Sequence, residues 1–551
     1  MTVAGWLQAL LILTVLVALH VPLGDYLARV LDGGAHLRAE RLLHRVCGID
    51  PDREQGWKHY LVSLLAFSLI SILALFGLFT CQQWLPWSLG HGGMPWQLAL
   101  DTAVSFTTNT SWQNYAGEAA TGHLAVMAGL GVQAFASAAV GMCVGLALIR
   151  GLIRRSSADL GNFWVDLFRC VLRVLLPLAV VFGVVLIGLG VEQNLHGAHT
   201  VGTLTGGSQT LIGGPVGSWE PIKLLSGDGG GFFNASSAHP FENPSAWSNA
   251  IEILLMLLVP TAFIRTFGRM VGSLRQSWTL LTVVGILFGL LLAAGTLAQA
   301  THTGTVATAA GGQYEGTETR IGVNGSTLFG VSATGSADGA GAASYDSFSS
   351  LGGGVLLAAM MLGEVSPGGT GSGLYGLLIA VLLAVFIGGL MVGRTPEYLR
   401  KRIGYAEMRL VVCYALVAPT LILLFSALAS ALPAGRASMG NPGAHGLTEV
   451  IYAFTSNVQS NGSSMSGLSG NTPFYNLAMT AAMLLGRYLP MAFVLALAAR
   501  LAAQRPGAVT VGTLRPHGAN FLVLTSGAAL VLALLNFLPA LSLGPLADGM
   551  H

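Results

Sequence analysis

Nine unbroken apolar runs and one broken run constrain this chain more than any single residue does. About 20 apolar residues carry a helix across the hydrocarbon layer of a membrane. Runs of that length lie near 3–23, 59–80, 122–149, 166–191, 246–268, 277–299, 408–432, 473–503 and 519–542. A tenth, 352–393, is interrupted by "GEVSPGGTGSG". In lipid a helix satisfies its own backbone hydrogen bonds, so runs of this kind become helices. The reading is an all-α polytopic membrane protein with ten transmembrane helices. Composition agrees: 9% of the residues are charged, against roughly 25% in soluble domains. The first run has no basic leader and no small-residue cleavage site, so it reads as a span rather than a signal peptide. Cys47, Cys81, Cys143, Cys170 and Cys413 form no CxxC pair and read as inert thiols in a lipid-embedded chain with no nucleic-acid partner.

Charge orients the spans. Of the 26 basic residues, 22 sit on alternate loops, counting Arg169 and Arg173 at a helix start. Arg29, Arg38, Arg41, Arg45, Arg53 and Lys58 share the first of these, and Arg150, Arg154 and Arg155 the second. Arg265, Arg269 and Arg275 follow, then Arg394, Arg400, Lys401, Arg402 and Arg409, then Arg500, Arg505 and Arg515. The positive-inside rule makes these loops cytoplasmic and places both termini outside. The opposite face holds an excess of acids, among them Asp101, Glu118, Glu242, Asp346, Glu449 and Asp548. A field of that sign concentrates cations at an external mouth; equally, sorting of the basic residues inward leaves the acids behind.

Four outside loops share one pattern. They are "DTAVSFTTNTSWQNYAGE", "EPIKLLSGDGGGFFNASSAHPFENP", "GSTLFGVSATGSADGAGAASYDSF" and "LTEVIYAFTSNVQSNGSSMSGLS". Each has a half-apolar stretch too short to span, then Gly, Ser, Thr and Asn, then another long helix. Ser111, Gly230, Gly339 and Gly462 mark them at near-constant intervals of about 110–120 residues. The pattern divides the chain into a first helix and cytoplasmic loop (1–58), four helix–pore helix–filter–helix repeats (59–155, 156–275, 276–407 with the broken last helix, and 408–517) and a final helix (518–551). Irregular backbone at membrane depth survives only where protein buries it or where it lines a water-filled path. Four such loops entering from one side can surround one pore, and their carbonyl oxygens can replace the hydration shell of a cation. Taken singly, each loop also reads as an ordinary glycine-rich surface loop.

The stretches "TTNTSWQNYAGE", "GGGFFNASSAHPFENP", "MLGE" followed by "GSGLYG", "AVFIGGLMVGRTPEYLRKRIG" and "NPGAHGLTEVIYAF" resemble the potassium-binding A subunits of the bacterial Kdp potassium-transporting ATPases. The resemblance runs through essentially the whole chain. It implies K⁺ as the transported ion, no organic cofactor and residence in the bacterial inner membrane. It implies a complex with the family's B, C and F subunits, of which B is the P-type ATPase and F is small, and an internal tunnel from the filter toward the B subunit. Carried over by motif, the K⁺ selectivity filter comprises Thr108, Asn109, Thr110 and Ser111 with Gln113 beyond; Gly229, Gly230 and Gly231; Ser336, Ala337, Asp338 and Gly339; and Asn461, Gly462 and Ser463. The loop holding Gly368, Gly369 and Gly371 would gate the inner path. Two acids depart from the family pattern. Asp228 stands where an asparagine is expected, and Asp338 where a small neutral residue is. The favoured placement for such a carboxylate is outside the filter, hydrogen-bonded to the loop, since an acid lining it would bind any cation.

Arg487 lies mid-span in "MLLGRYLPM". An intramembrane arginine faces protein or water and pairs with something; it is either a barrier beneath the filter or the partner of a carboxylate such as Glu252 or Glu364. Lys223 reads as a support for the second pore helix. The glycine spacing at 363–376 hints at a dinucleotide fingerprint, but no strand precedes it; an unwound gate or simple small-residue helix packing fits instead. The thirteen histidines form no HExxH pattern, and neither a P-loop nor an aspartyl-phosphate signature occurs. The chain therefore reads as the ion-selecting subunit of an ATP-driven importer with no catalytic site of its own. The rivals are a stand-alone channel-like potassium transporter of the same four-unit superfamily, against which the end helices and "GRTPEY" argue, and an intramembrane enzyme, for which no nucleophile–base pair appears.

Overall fold

The computed structural model describes residues 3–300, 313–363, 365–507 and 516–550. Its helices, in chain order, begin with α1 (Val3–Leu31), α2 (Arg38–Val46), α3 (Trp57–Thr80), α4 (Trp96–Thr107) and α5 (Ala125–Ile153). Then come α6 (Phe163–Gly188), α7 (Val216–Ser226), α8 (Ala246–Met270), α9 (Leu274–Ala300) and α10 (Gly322–Gly335). The remaining longer helices are α11 (Ser350–Met361), α12 (Ser372–Met391), α13 (Tyr405–Ala431), α14 (Gly443–Gln459), α15 (Pro473–Ala503) and α16 (Ala519–Leu541), alongside single turns at Gly117–Ala120 and Pro433–Arg436. Among the described residues, ten helices are long and apolar enough to cross a membrane: α1, α3, α5, α6, α8, α9, α12, α13, α15 and α16. The broken tenth run is two helices, α11 and α12, separated by non-helical residues at 362–363 and 365–371.

Helices α5 and α8 are central, with 89% of the most apolar stretch of each buried. Small residues let α5 take close neighbours. A Cβ at Gly151 would lie 2.6 Å from the Ala498 carbonyl, and one at Gly145 would lie 2.8 Å from the Phe263 ring. Without a hydrophobic drive between helices in lipid, such backbone approach supplies the packing. By contrast α1, α3 and α16 turn most of their surface outward.

Ion pairs tie the basic ends together. Asp25 accepts hydrogen bonds from Arg265 at 2.9 Å and Arg269 at 2.5 Å, which joins α1 to α8. This explains why α1 runs to Leu31 rather than ending near residue 23: its polar last turns have partners. Arg150 grips Asp166 with two bonds of 2.5 and 2.8 Å, and Tyr60 donates to the same carboxylate at 3.0 Å. The buried Lys401 ammonium caps the helix ends at Arg154, Leu501 and Gln504 by donating to their carbonyls at 2.6–3.0 Å. Strands are confined, among the described residues, to two small antiparallel ribbons, His199–Gly202 with Ser208–Leu211 and Glu397–Tyr398 with Lys401–Arg402.

Candidate ion site at the ends of four short helices

Four helices too short to span, α4, α7, α10 and α14, each deliver one of the four polar segments from their C-terminal ends. Thr108, Gly227, Ser336 and Ser460 are the residues that end them. A helix C-terminus carries about half a negative charge, so each segment begins in a potential that favours cations.

The segments touch in cyclic order. Asn109 in the first donates its amide to the Gly227 carbonyl of the second at 2.8 Å. Gln113 accepts from the Gly231 N–H at 2.9 Å. The second meets the third where Gly339 N–H reaches the Asp228 carbonyl at 3.4 Å. A Cβ on Gly229 would stand 2.0 Å from the Gly339 nitrogen, with φ at +81°. The third meets the fourth through the Asn461 amide, which donates to the Ala333 carbonyl at 3.3 Å. Finally Gly462, at φ +94°, would place a Cβ 1.8 Å from the Thr110 carbonyl oxygen. Only glycine fits either position, because both the backbone angle and the contact exclude a side chain.

The scaffold takes the segments' N–H groups. Thr110 N–H donates to Ser105 O at 2.9 Å, Asp338 N–H to Ala333 O at 3.0 Å, and Asn461 N–H to Ser456 O at 2.8 Å. Gly462 N–H donates to the Ser456 hydroxyl at 2.9 Å. In a trans peptide the carbonyl points opposite to the N–H. The carbonyls of Asn109, Ala337, Ser460 and Asn461 are therefore turned away from their own helices. Asn109, Ser111, Ala337 and Ser460 all hold positive φ without being glycine, the kind of local strain that persists only where surroundings over-determine it.

Above the ring lies a cavity of about 330 Å³ lined by Ser111, Gln113, Gly230, Gly231, Gly339, Gly462 and Ser463, among others. Gln113 thus does two things: it faces this cavity and pins the second segment. Lys223 supports the second segment from behind. It is fully buried, contacts Glu220 at 2.9 Å and Glu242 at 2.7 Å, and Glu242 in turn accepts from Phe233 N–H at 2.8 Å. Glu242, Ser236 and Ser137 are supports that the motif reading passed over. Ser236 donates to the Gly230 carbonyl at 3.0 Å, and Ser137 donates to the Asn109 side-chain oxygen at 3.0 Å.

The two unexpected acids behave differently. Asp338 accepts from the Ala340 N–H at 2.9 Å, so it is bonded to its own loop as expected. Asp228 is fully buried; its carboxyl has the Ser111 hydroxyl as a polar neighbour, and among the described residues no backbone N–H donates to it. The expected loop bond is absent there because the nearby N–H groups are engaged elsewhere: its own reaches Ser226 and Lys223, and that of Gly229 reaches Lys223.

Beneath the ring, the loop after α11 closes upward. Gly368 N–H donates to the Gly335 carbonyl at 2.8 Å, and the Thr370 hydroxyl donates to the Leu225 carbonyl at 3.0 Å. A Cβ on Gly369 would lie 2.9 Å from Ala337, and one on Gly371 would lie 2.3 Å from the backbone of Gly141. Arg487 is buried beside this loop and donates to the Ser137 carbonyl at 3.5 Å. It does not pair with Glu252, which sits with the Lys223 group; Glu364, the other expected partner, lies outside the described residues. Among the described residues no carboxylate lies within ion-pair distance of Arg487. A second cavity, of about 120 Å³, is lined by Arg487, Ser460, Gln459, Gly363 and Tyr375 and extends to Asn536 and Phe537 on α16.

Ten membrane-length helices with four short ones aimed at a shared ring define a polytopic transport-protein fold. The fold is similar to that of the potassium transporter TrkH from Vibrio parahaemolyticus, with a TM-score of 0.54 at 13% identity, covering 89% of this chain and 96% of that one. The chain belongs to the KdpA family, described as "Potassium-transporting ATPase A subunit", whose model matches residues 10–550. It is 51% identical to the potassium-transporting ATPase potassium-binding subunit of Kineococcus radiotolerans, over 99% of this chain and 98% of that one. The corresponding protein of Streptomyces coelicolor is 49% identical over 99% of both chains.

Proposed function

We propose that this chain binds K⁺ in the ring formed by the four segments and passes it inward as the ion-selecting subunit of an ATP-driven potassium importer. The observation that carries the reading is the closed cyclic contact from Thr108–Ser111 through Gly229–Gly231 and Ser336–Gly339 to Asn461–Ser463. Outward-held N–H groups and four helix C-termini suit a dehydrated monovalent cation. The units 59–155, 156–275, 276–407 and 408–517 are the four pseudo-repeats around that pore, framed by a first helix within 1–58 and a last within 518–551. Both termini face outward from the bacterial cytoplasmic membrane. Gln113 sets the height of the second segment against the first. Gly368, Gly369 and Gly371 form the floor beneath the ring, and Arg487 places positive charge across the straight route, so that K⁺ turns into the cavity toward α16.

ATP hydrolysis belongs to the P-type ATPase of the complex, its B subunit, with the C and F subunits completing the assembly. That K⁺ and the ion-binding role apply here is supported by the family membership and by relatives whose names state potassium binding. The test is reconstitution of the chain with and without these partners. Uptake of K⁺ into proteoliposomes should require both ATP and the P-type ATPase. Steady K⁺ conduction by the chain alone would instead make it a stand-alone channel.

A further inference from the structure

On the outer rim, three distant stretches bring their side chains together. Asp346 follows the third segment. His445 and Glu449 lie one turn apart at the start of α14, with Asn441 just before it, and Asp548 comes from the C-terminal stretch. One ring nitrogen of His445 and one oxygen each of Asp346 and Glu449 lie within 4.8 Å of one another. Nε2 to Asp346 Oδ1 is 3.2 Å. Tetrahedral zinc with bonds of 2.0–2.1 Å has ligand–ligand edges of about 3.3 Å.

The Asn441 amide nitrogen stands between the two carboxylates, 2.6 Å from Glu449 Oε1 and 3.4 Å from Asp346 Oδ2. A half-turn of that amide exchanges its donor for a carbonyl oxygen, which supplies a fourth ligand where the donor now sits. Asp548 Oδ2 lies 2.9 Å from His445 Nδ1. A carboxylate on the far ring nitrogen is the usual outer partner of a metal-bound histidine, fixing the tautomer that leaves Nε2 free to ligate. Glu449 is fully buried and held by Gly440 N–H at 3.1 Å. Three carboxylates against one imidazole leave an excess of negative charge, and among the described residues no Lys or Arg pairs with them. One imidazole with oxygen ligands selects Zn²⁺ over Mg²⁺ and Ca²⁺, which favour oxygen alone.

We propose that His445, Asp346, Glu449 and Asn441 form a Zn²⁺ site, with Asp548 as its outer partner, that staples the third and fourth segments' outer ends to the C-terminal stretch. The histidines show no metal pattern in the sequence because the fold, not local spacing, assembles this one.

The test uses the full-length chain, free of any affinity tag, stripped with chelator and titrated with ZnCl₂ by calorimetry and thermal unfolding. One ion per chain should bind and raise the unfolding temperature. His445→Ala should weaken binding at least 100-fold and Asp548→Asn about 10- to 100-fold, the range seen for outer partners. Equal concentrations of Mg²⁺ or Ca²⁺ should leave the binding intact. Unchanged Zn²⁺ binding in both variants, or none in the parent chain, would overturn the site. Should His445→Ala fail to fold, Asp548→Asn and Glu449→Gln decide it.

Discussion

Asp228 is the residue whose surroundings say most about how selectivity is kept apart from attraction. It is fully buried next to Gly229, its carboxyl neighbours the Ser111 hydroxyl with no backbone N–H donating to it among the described residues, and it does not line the outer cavity. A carboxyl so placed acts at range on any cation in the ring and discriminates poorly between them. Asp228→Asn should therefore lower K⁺ and Na⁺ binding together. The ratio of their inhibition constants should stay within about a factor of two, ~0.4 kcal/mol. Competition measurements on the reconstituted complex check this; collapse of the ratio would place the carboxylate among the ligands. The sequence made Asp228 and Asp338 visible as departures from the family's motif but could not separate them. What separates them is the local N–H supply. Ala340 has an N–H to give Asp338, while those of Asp228 and Gly229 are taken by Ser226 and Lys223.

At the scale of elements, the spans were legible because hydropathy and length alone decide them: all ten apolar runs became helices, and the glycine-rich interruption became a loop between α11 and α12. The four short helices were legible as apolar stretches too short to cross. Their closure into a ring was not, since contacts such as Gly462 on Thr110 join residues from opposite ends of the chain. Nor did the sequence pair Ser137 with Asn109, or Thr370 with Leu225. A polar side chain inside an apolar helix gives no sign of which neighbour it meets. The floor makes its own prediction. Arg487 is buried without a carboxylate among the described residues, and its guanidinium donates to Ser137, which also holds Asn109. Removing the charge with Arg487→Met should open a passive K⁺ leak through the complex without ATP, measured as ⁸⁶Rb⁺ efflux from vesicles. A leak-free variant that pumps at the parent rate would remove Arg487 from the barrier.

For the whole molecule, the proposed function implies one route. On the function proposed above, cations would gather in the outer cavity, lose water to the ring, meet the floor of Gly368, Gly369 and Gly371, and leave sideways past Arg487 toward α16. That route requires all four segments to act as one site, each supplying part of the oxygen shell. The direct measurement is the K⁺ concentration for half-maximal ATP hydrolysis by the reconstituted complex, taken for one substitution per segment: Asn109→Ala, Gly230→Ala, Gly339→Ala and Gly462→Ala. Each should raise that concentration by at least about 10-fold, ~1.4 kcal/mol, with the dependence on ATP unchanged. A segment whose substitution leaves the K⁺ dependence at the parent value would contradict a single four-part site.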